Sequence, residues 1–336
     1  MNLIAFTRSL IDIDSTTGQE EAAAHLAAEF LRQAGWAPEL QEVEPGRYNV
    51  YAPLGTPRVV LSTHLDTVPP FMPSAEDSEY IYGRGACDAK GILAAQVFAA
   101  LELQRQGLRD FGLLFLVGEE KNSQGARLAN QRPNACKFLV NGEPTDCQMV
   151  SAGKGTLRVD VTARGRMAHS AYPELGDSAI VKLLQALNAL RELPLPVSRE
   201  LGPTTCNIGT LAGGRAPNVI ADFARAEVMY RLVEPADALR AAITAAAAPY
   251  AETQFVLEIP PVKLKTLPGF KTRTVAFTTD IPALTGWGEP LLYGPGSIHV
   301  AHTENEKLSK REQEQAVADY VRIVKELLRA AEQTPE

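Results

Sequence analysis

Three short stretches, "RVVLSTHLD" (58–66), "GLLFLVGEE" (112–120) and "KFLVNGE" (137–143), stay apolar almost throughout and then end abruptly in histidine or acid. A strand without polar alternation is buried on both faces, which requires a sheet covered by helices on each side. The cover is predicted from "QEEAAAHLAAEFLRQAGW" (19–36), with Gly35 as its stop, from "GILAAQVFAALELQRQG" (91–107), and from a long charged helix over 306–333 that packs one stripe inward. "YNVYAPL", "YIYGRG", "TVAFTTD" and "PLLYGPGS" read as further strands. The expectation is an α/β unit built on a mainly parallel sheet.

Between these halves the pattern changes. "TLRVDVTARG" alternates, "DSAIVKLLQALNALREL" is helical, and "TTCNIGTLAGG" and "VIADFARAEVMYRL" are strands; "PADALRAAITAAAA" is helical and "TQFVLEI" extended. Strand, helix, strand, strand, helix, strand is the order of a ferredoxin-like α+β unit. A chain of 336 residues exceeds what one core usually serves. The predicted division is 1–153 plus 265–336 for the first unit, with 154–264 inserted.

Forty acidic residues against 33 basic ones, a formal charge of -7, argue against nucleic acid or an anionic membrane as partner. The first residues lack a basic segment and a small-residue cleavage site, and no apolar run spans a bilayer, so a cytoplasmic location is expected. Cys87, Cys136, Cys147 and Cys206 form no C-x-x-C pair, which favours reduced thiols.

Of the five histidines, His25 sits in the first amphipathic pattern and reads as a helix-face residue. The others stand in loop-like contexts. His64 and Asp66 end a strand two residues apart, so both point to one side; His64 suits a metal ligand and Asp66 its orienting carboxylate, although an ion pair at a strand end has the same pattern. Glu119 and Glu120 leave a buried strand together, either as a solvated acidic loop or as charges relieved by a cation. Glu143 is held extended before Pro144. His299 and His302 follow a glycine- and proline-rich strand end, with the acids of "TENE" close to His302.

All of these fall at strand ends of one open sheet, where ligand sites collect. Imidazoles with several carboxylates suit zinc, cobalt or manganese, and about six donors exceed what one tetrahedral ion uses. A two-metal site with one shared aspartate follows. "GRGACDAKG" (83–91) has Asp88 where a dinucleotide loop requires glycine, so its glycines are read as bringing that carboxylate to the metals. "SAGKGT" lacks the Ser or Thr of a P-loop, and no G-x-S-x-G elbow occurs.

Together "STHLDTVP", "YGRGACDAKG", "VGEEKNSQGA", "NGEPT" and "GPGSIHVAH" resemble the M20 family of metallo-exopeptidases and deacylases, most of all its acetylornithine deacetylase and succinyl-diaminopimelate desuccinylase branch. The resemblance implies a zinc-exopeptidase-like catalytic domain and an inserted lid that also makes a homodimer. It implies one ion, zinc or else cobalt or manganese, on His64, Asp88 and Glu143, and a second on Asp88, Glu120 and His302. Glu119 becomes the general base and Asp66 a supporting carboxylate. His169 in "GRMAHSA" matches a histidine that reaches substrate in the partner subunit, and Asn218 in "GGRAPNVIAD" a substrate-contacting asparagine. The turn departs from the family pattern at Gly118 and in "KNSQG". The implied substrate is an N-acyl amino acid or a short peptide whose carboxylate meets Arg231 or the "GPGS" backbone, Gly296 and Ser297 included. The implied reaction is hydrolysis of the amide, with a metallo-exopeptidase as the alternative.

Overall fold

The computed structural model describes residues 1–333, which form two compact units. The first comprises 1–151, 264–273 and 279–333, and the second 152–263 and 274–278. The principal elements, in chain order, are α1 (Leu3–Ile11), α2 (Glu21–Gln33), β1 (Glu39–Glu44), β2 (Arg47–Leu54), β3 (Val59–His64), α3 (Lys90–Arg105), β4 (Phe111–Leu116), β5 (Phe138–Asn141), β6 (Gly155–Arg164), α4 (Ala179–Arg191), β7 (Thr205–Gly213), β8 (Phe223–Leu232), α5 (Asp237–Ala247), β9 (Glu252–Ile259), β10 (Glu289–Leu292) and α6 (Lys310–Gln333).

The first unit carries a six-stranded sheet in the order β1-β2-β4-β3-β5-β10. The pairs β4/β3, β3/β5 and β5/β10 are parallel, whereas β1/β2 and β2/β4 are antiparallel. The sheet is therefore mixed, with its parallel part where the site residues lie. Successive side chains of the central strands enter different cores. Val59, Leu61, Phe111, Leu113, Phe115, Phe138 and Val140 pack with α1, α2, α3 and α6, while Val60, Leu114, Leu116 and Leu139 pack on the other side with Ala126, Ala129 and Trp287. Two-sided burial is why these strands read as unbroken apolar runs. Truncating one such side chain, Leu114→Ala for example, removes about 2–5 kcal/mol.

Four elements differ from expectation. β1, with sequence "ELQEVE" and largely exposed, has no apolar run to announce it. The strand of "YIYGRG" is only Tyr80–Tyr82 and belongs to a small separate sheet with 75–76 and 307–309. In place of a buried strand across "TVAFTTD", the chain is extended at Thr272–Val275 and forms a 3-10 turn at Ile281–Ala283. The final helix begins at Lys310, because 307–309 pair as a strand with Tyr80–Tyr82.

The second unit is a four-stranded antiparallel sheet, β7-β8-β6-β9. α4 and α5 cover one face, burying Leu183, Leu187 and Ile243 against Leu157, Val159 and Val228. Ser178 caps α4 by accepting from the Val181 amide. β7 is an edge strand, and Leu211 on it is exposed, as are Val181 and Leu184 on α4. All four cysteines are free thiols, and among the described residues no helix is long and apolar enough to cross a membrane.

Candidate metal centre

β3, β4 and β5 run parallel and deliver their C-terminal ends to one region of the first unit. His64 is the last residue of β3, Glu119 and Glu120 follow β4 by a short turn, and Glu143 stands two residues beyond β5. Asp88 arrives on the loop before α3, and His302 on the loop between β10 and α6. His302 adopts φ 62°, a left-handed conformation that non-glycine residues take at a cost when the surroundings hold them there.

These side chains converge into two groups that share Asp88. His64, Asp88 and Glu143 each place a donor atom within 4.8 Å of the others, and so do Asp88, Glu120 and His302. His64 Nε2 lies 3.0 Å from Asp88 Oδ1 and 3.9 Å from Glu143 Oε2. His302 Nε2 lies 3.2 Å from Asp88 Oδ2 and 3.0 Å from Glu120 Oε1. One oxygen of Asp88 thus faces each imidazole. His299 is exposed and belongs to neither group, and His25 is a helix-surface residue 3.9 Å from Glu21.

The loop of Asp88 is shaped by its glycines. Gly85 has φ 89°, and a Cβ on Gly91 would stand 2.2 Å from the Ala86 carbonyl oxygen, so neither position accepts a side chain without rearrangement.

Asp66 works differently from its sequence reading. The ring of His64 is held by the backbone carbonyl of Asp66, 2.9 Å from Nδ1, whereas the Asp66 carboxylate lies 3.6 Å from that nitrogen. The carboxylate accepts from the amides of Gly118, Glu119 and Glu120, at 3.0, 3.1 and 3.2 Å, and from the Thr17 hydroxyl at 2.8 Å. It therefore sets the turn that aims both glutamates. Gly118, with φ 81°, lets that turn begin directly after the strand.

The electrostatics favour added positive charge. Burial pushes the carboxyl groups of Glu119 and Glu143 well above the ordinary range, and each is raised further by neighbouring acids, Glu143 on Glu119 and Asp88 on Glu143. Burial also raises Glu120, against the hydrogen bond from His302. Burial would raise Asp88 too, but hydrogen bonds and charge from His302 and His64 hold it well below the usual value. Hydrogen bonds to Asp88 and Glu120 lift His302 to about 10. Burial opposes a charged His64, yet Asp88, Glu143 and Glu119 outweigh it and carry its pKa well above 6.5. Glu143 Oε1 is buried without a hydrogen-bond partner. Packed acids with an unsatisfied oxygen, arranged as two oxygen and nitrogen donor sets, fit a pair of divalent cations.

Two further buried acids belong to this region. Asp280 is 1% exposed with both oxygens unpartnered. Burial lifts it to about 7, against the opposing effects of Ser123 and of the charge on His64; Ser123 bears on it without making a hydrogen bond of acceptable geometry. Glu306 is equally buried and accepts from the amides of Gly85, Cys87 and Asp88. Glu306 is the last acid of "TENE", but it accepts from backbone amides and from Arg84 and not from His302, and a sequence carries no mark of such partners.

The remaining candidates divide between the units. In the second, His169 and Val219 form an isolated bridge and the Ser170 amide donates to the Asn218 carbonyl at 3.0 Å, so the His169 and Asn218 segments are neighbours, both exposed. His169 Nδ1 accepts from the Ala171 amide. Arg231 on β8 is half-buried and donates to the Thr156 hydroxyl at 2.7 Å. In the first unit the amides of Gly294 and Gly296 are already engaged, by Thr145 Oγ1 and Glu312 Oε2, which argues against their receiving a substrate carboxylate. The Ser297 backbone pairs with Thr145 in an isolated bridge.

Residues 60–330 match the profile of peptidase family M20/M25/M40. A probable carboxypeptidase of Aspergillus clavatus is 40% identical over 373 residues, covering 97% of this chain and 82% of that protein. Aminopeptidase PepT from Bacillus cereus superposes with a TM-score of 0.79 at 22% identity, covering 97% of this chain and 98% of that one. A dinuclear metal binding peptidase of the M20 family from Bacillus subtilis superposes with a TM-score of 0.68 at 16% identity, covering 97% and 96%. The chain belongs to peptidase family M20/M25/M40 and is a hydrolase of peptide or amide bonds.

Proposed function

We propose that this M20/M25/M40 hydrolase cleaves the amide bond next to a free carboxylate in a small substrate, an N-acyl amino acid in the first reading. The observation that carries the proposal is the pair of donor groups sharing Asp88, with Glu119 on the turn beside them. Zinc, cobalt or manganese ions held by His64, Asp88 and Glu143 and by Asp88, Glu120 and His302 would supply Lewis acidity toward the scissile carbonyl and a water.

Glu119 is the general base. Its raised pKa matches a carboxyl group that takes a proton from the attacking water and gives it to the departing amine. The return of that proton is required because an amide anion is too basic to leave. Asp66 keeps Glu119 on its turn through the backbone amides and holds His64 through its carbonyl. Arg231 or, failing it, the backbone at Ser297 is proposed to receive the substrate carboxylate, with His169 and Asn218 as further substrate contacts. The second unit is proposed as a lid and dimerisation domain, supported by its exposed edge strand β7 and the exposed Leu211, Val181 and Leu184. If His169 acts across such a dimer, mixing His169→Ala and Glu119→Ala chains restores activity in hybrids; absence of restoration removes that role.

A second reading, an exopeptidase acting on short peptides, is favoured by the name of the Aspergillus clavatus relative. Both readings are tested with protein reconstituted with Zn2+ or Co2+ and offered N-acetyl amino acids, N-succinyl amino acids, dipeptides and tripeptides. The expected outcome is cleavage next to the C-terminal amino acid and its loss when that carboxylate is amidated. Equal cleavage of the amidated analogues, or none of any substrate, overturns the proposal, and the preferred acyl or peptidyl group decides between the readings.

A further inference from the structure

We infer that Glu306 is a positioning residue for Asp88, fixing the loop from which the shared carboxylate is presented to both donor groups. Its Oε1 accepts from the amides of Gly85, Cys87 and Asp88 at 2.9, 3.3 and 3.3 Å. Its Oε2 accepts from Arg84 Nη1 at 2.6 Å, and its backbone carbonyl from the Gly83 amide at 3.3 Å. Arg84 also donates to the carbonyls of Pro70 and Thr303, both at 3.3 Å.

One carboxylate thereby ties two loops together. The loop of residues 83–88 presents Asp88, and the loop that carries His302 reaches Glu306 four residues later. The Asp88 amide is itself one of the donors, so its α-carbon is located by Glu306 even though no side-chain contact joins them. Asp66 plays the same part for the turn of Glu119 and Glu120, there through three consecutive amides. Two of the loops presenting acidic donors, those of Asp88 and of Glu120, are thus each gathered by a buried carboxylate from elsewhere in the chain. A charged acceptor is suited to this because its hydrogen bonds to amides and guanidinium are stronger than neutral ones.

A carboxamide cannot replace it. Glutamine offers one accepting oxygen, and its NH2 group must face either the amides or the guanidinium of Arg84, which are all donors. The alternative role is a plain structural ion pair between Arg84 and Glu306, whose loss lowers stability and leaves the donor geometry at Asp88 unchanged.

The inference rests on Asp88 being the shared donor of the proposed centre. Its test is Co2+ titration of metal-free protein, followed by visible absorption and by calorimetry, with Glu306→Gln and with the double variant E306Q/R84M, which also removes the unpaired guanidinium. In the wild type two ions are expected. In both variants the expected result is an altered Co2+ absorption spectrum and about 10–100-fold weaker binding, with the near-ultraviolet circular dichroism of the metal-free protein unchanged. Wild-type spectrum and affinity in a folded variant overturn the inference. Should neither Gln variant fold, Glu306→Asp keeps the charge with a shorter reach; weaker Co2+ binding by that variant supports the role and unchanged binding overturns it. A wild type that takes up no Co2+ removes the assignment of Asp88, a different failure.

Discussion

The Asp66 carboxylate lies 3.6 Å from His64 Nδ1, but the atom that meets this nitrogen, at 2.9 Å, is the Asp66 backbone oxygen. The side chain is thereby free to gather the turn after β4. Asp66→Asn keeps one accepting oxygen for Gly118 and Glu119 and turns an NH2 group toward the Glu120 amide. The group containing Glu120 and His302 should then bind its ion about 10-fold more weakly while the His64 group is unaffected. Stepwise metal titration checks this, and equal weakening of both steps contradicts it.

Glu119 and His302 should fail in different ways. Glu119→Gln should retain the metal content of the wild type and lose activity by about 10²–10⁴-fold, the effect of removing a positioned base. His302→Ala should instead lose about one ion per chain. Elemental analysis beside steady-state kinetics separates the two; a Glu119 variant with full activity, or a His302 variant with full metal content, removes the corresponding role.

Asp280 gives a pH dependence in metal-free protein. Its folded pKa of about 7 lies above the ordinary value of 3.8, so the folded state holds its proton more tightly than the unfolded chain. Below about pH 4 both states are protonated and no penalty exists. As pH rises toward 7 the unfolded chain has lost the proton that the fold keeps, and stability falls until the folded group also ionises. Asp280→Asn removes this loss. Its advantage in unfolding free energy should grow between about pH 4 and 7 and level off near pH 8, at roughly 4 kcal/mol. Chemical denaturation of both proteins across that range checks it, and a wild type more stable than the variant at pH 8 would mean that the carboxylate has a partner when charged.

Strand-end residues were the most legible part of the centre. His64, Glu120 and Glu143 each follow a largely apolar run, and two-sided burial makes such runs visible without any alignment. Asp88 could be read because it spoils a glycine pattern. The supporting acids could not: Glu306 and Asp280 follow no periodic run, and what they do depends on which amides or voids the folded chain brings beside them. For the same reason the role of Asp66 was half right, since spacing places its side chain near His64 but cannot show that three amides from residues 118–120 compete for it. β1 was missed because pairing with β2, rather than burial of its own side chains, keeps it extended. The strand expected through "TVAFTTD" covers only its first residues, within Thr272–Val275, and a 3-10 turn carrying Pro282 follows the segment at Ile281.

The parallel register of β3 against β4 and β5 has a chemical corollary. Neighbouring strands stand about 4.8 Å apart, and that repeat spaces the roots of His64, of the Glu119–Glu120 turn and of Glu143. Sliding β3 by one residue would exchange Val60 and Leu61 between their opposite oily layers and withdraw the imidazole by about 3.3 Å onto the wrong side. Misthreading of the barest hydrocarbon segments is therefore penalised twice, once as poor packing and once as a broken grip on the cations.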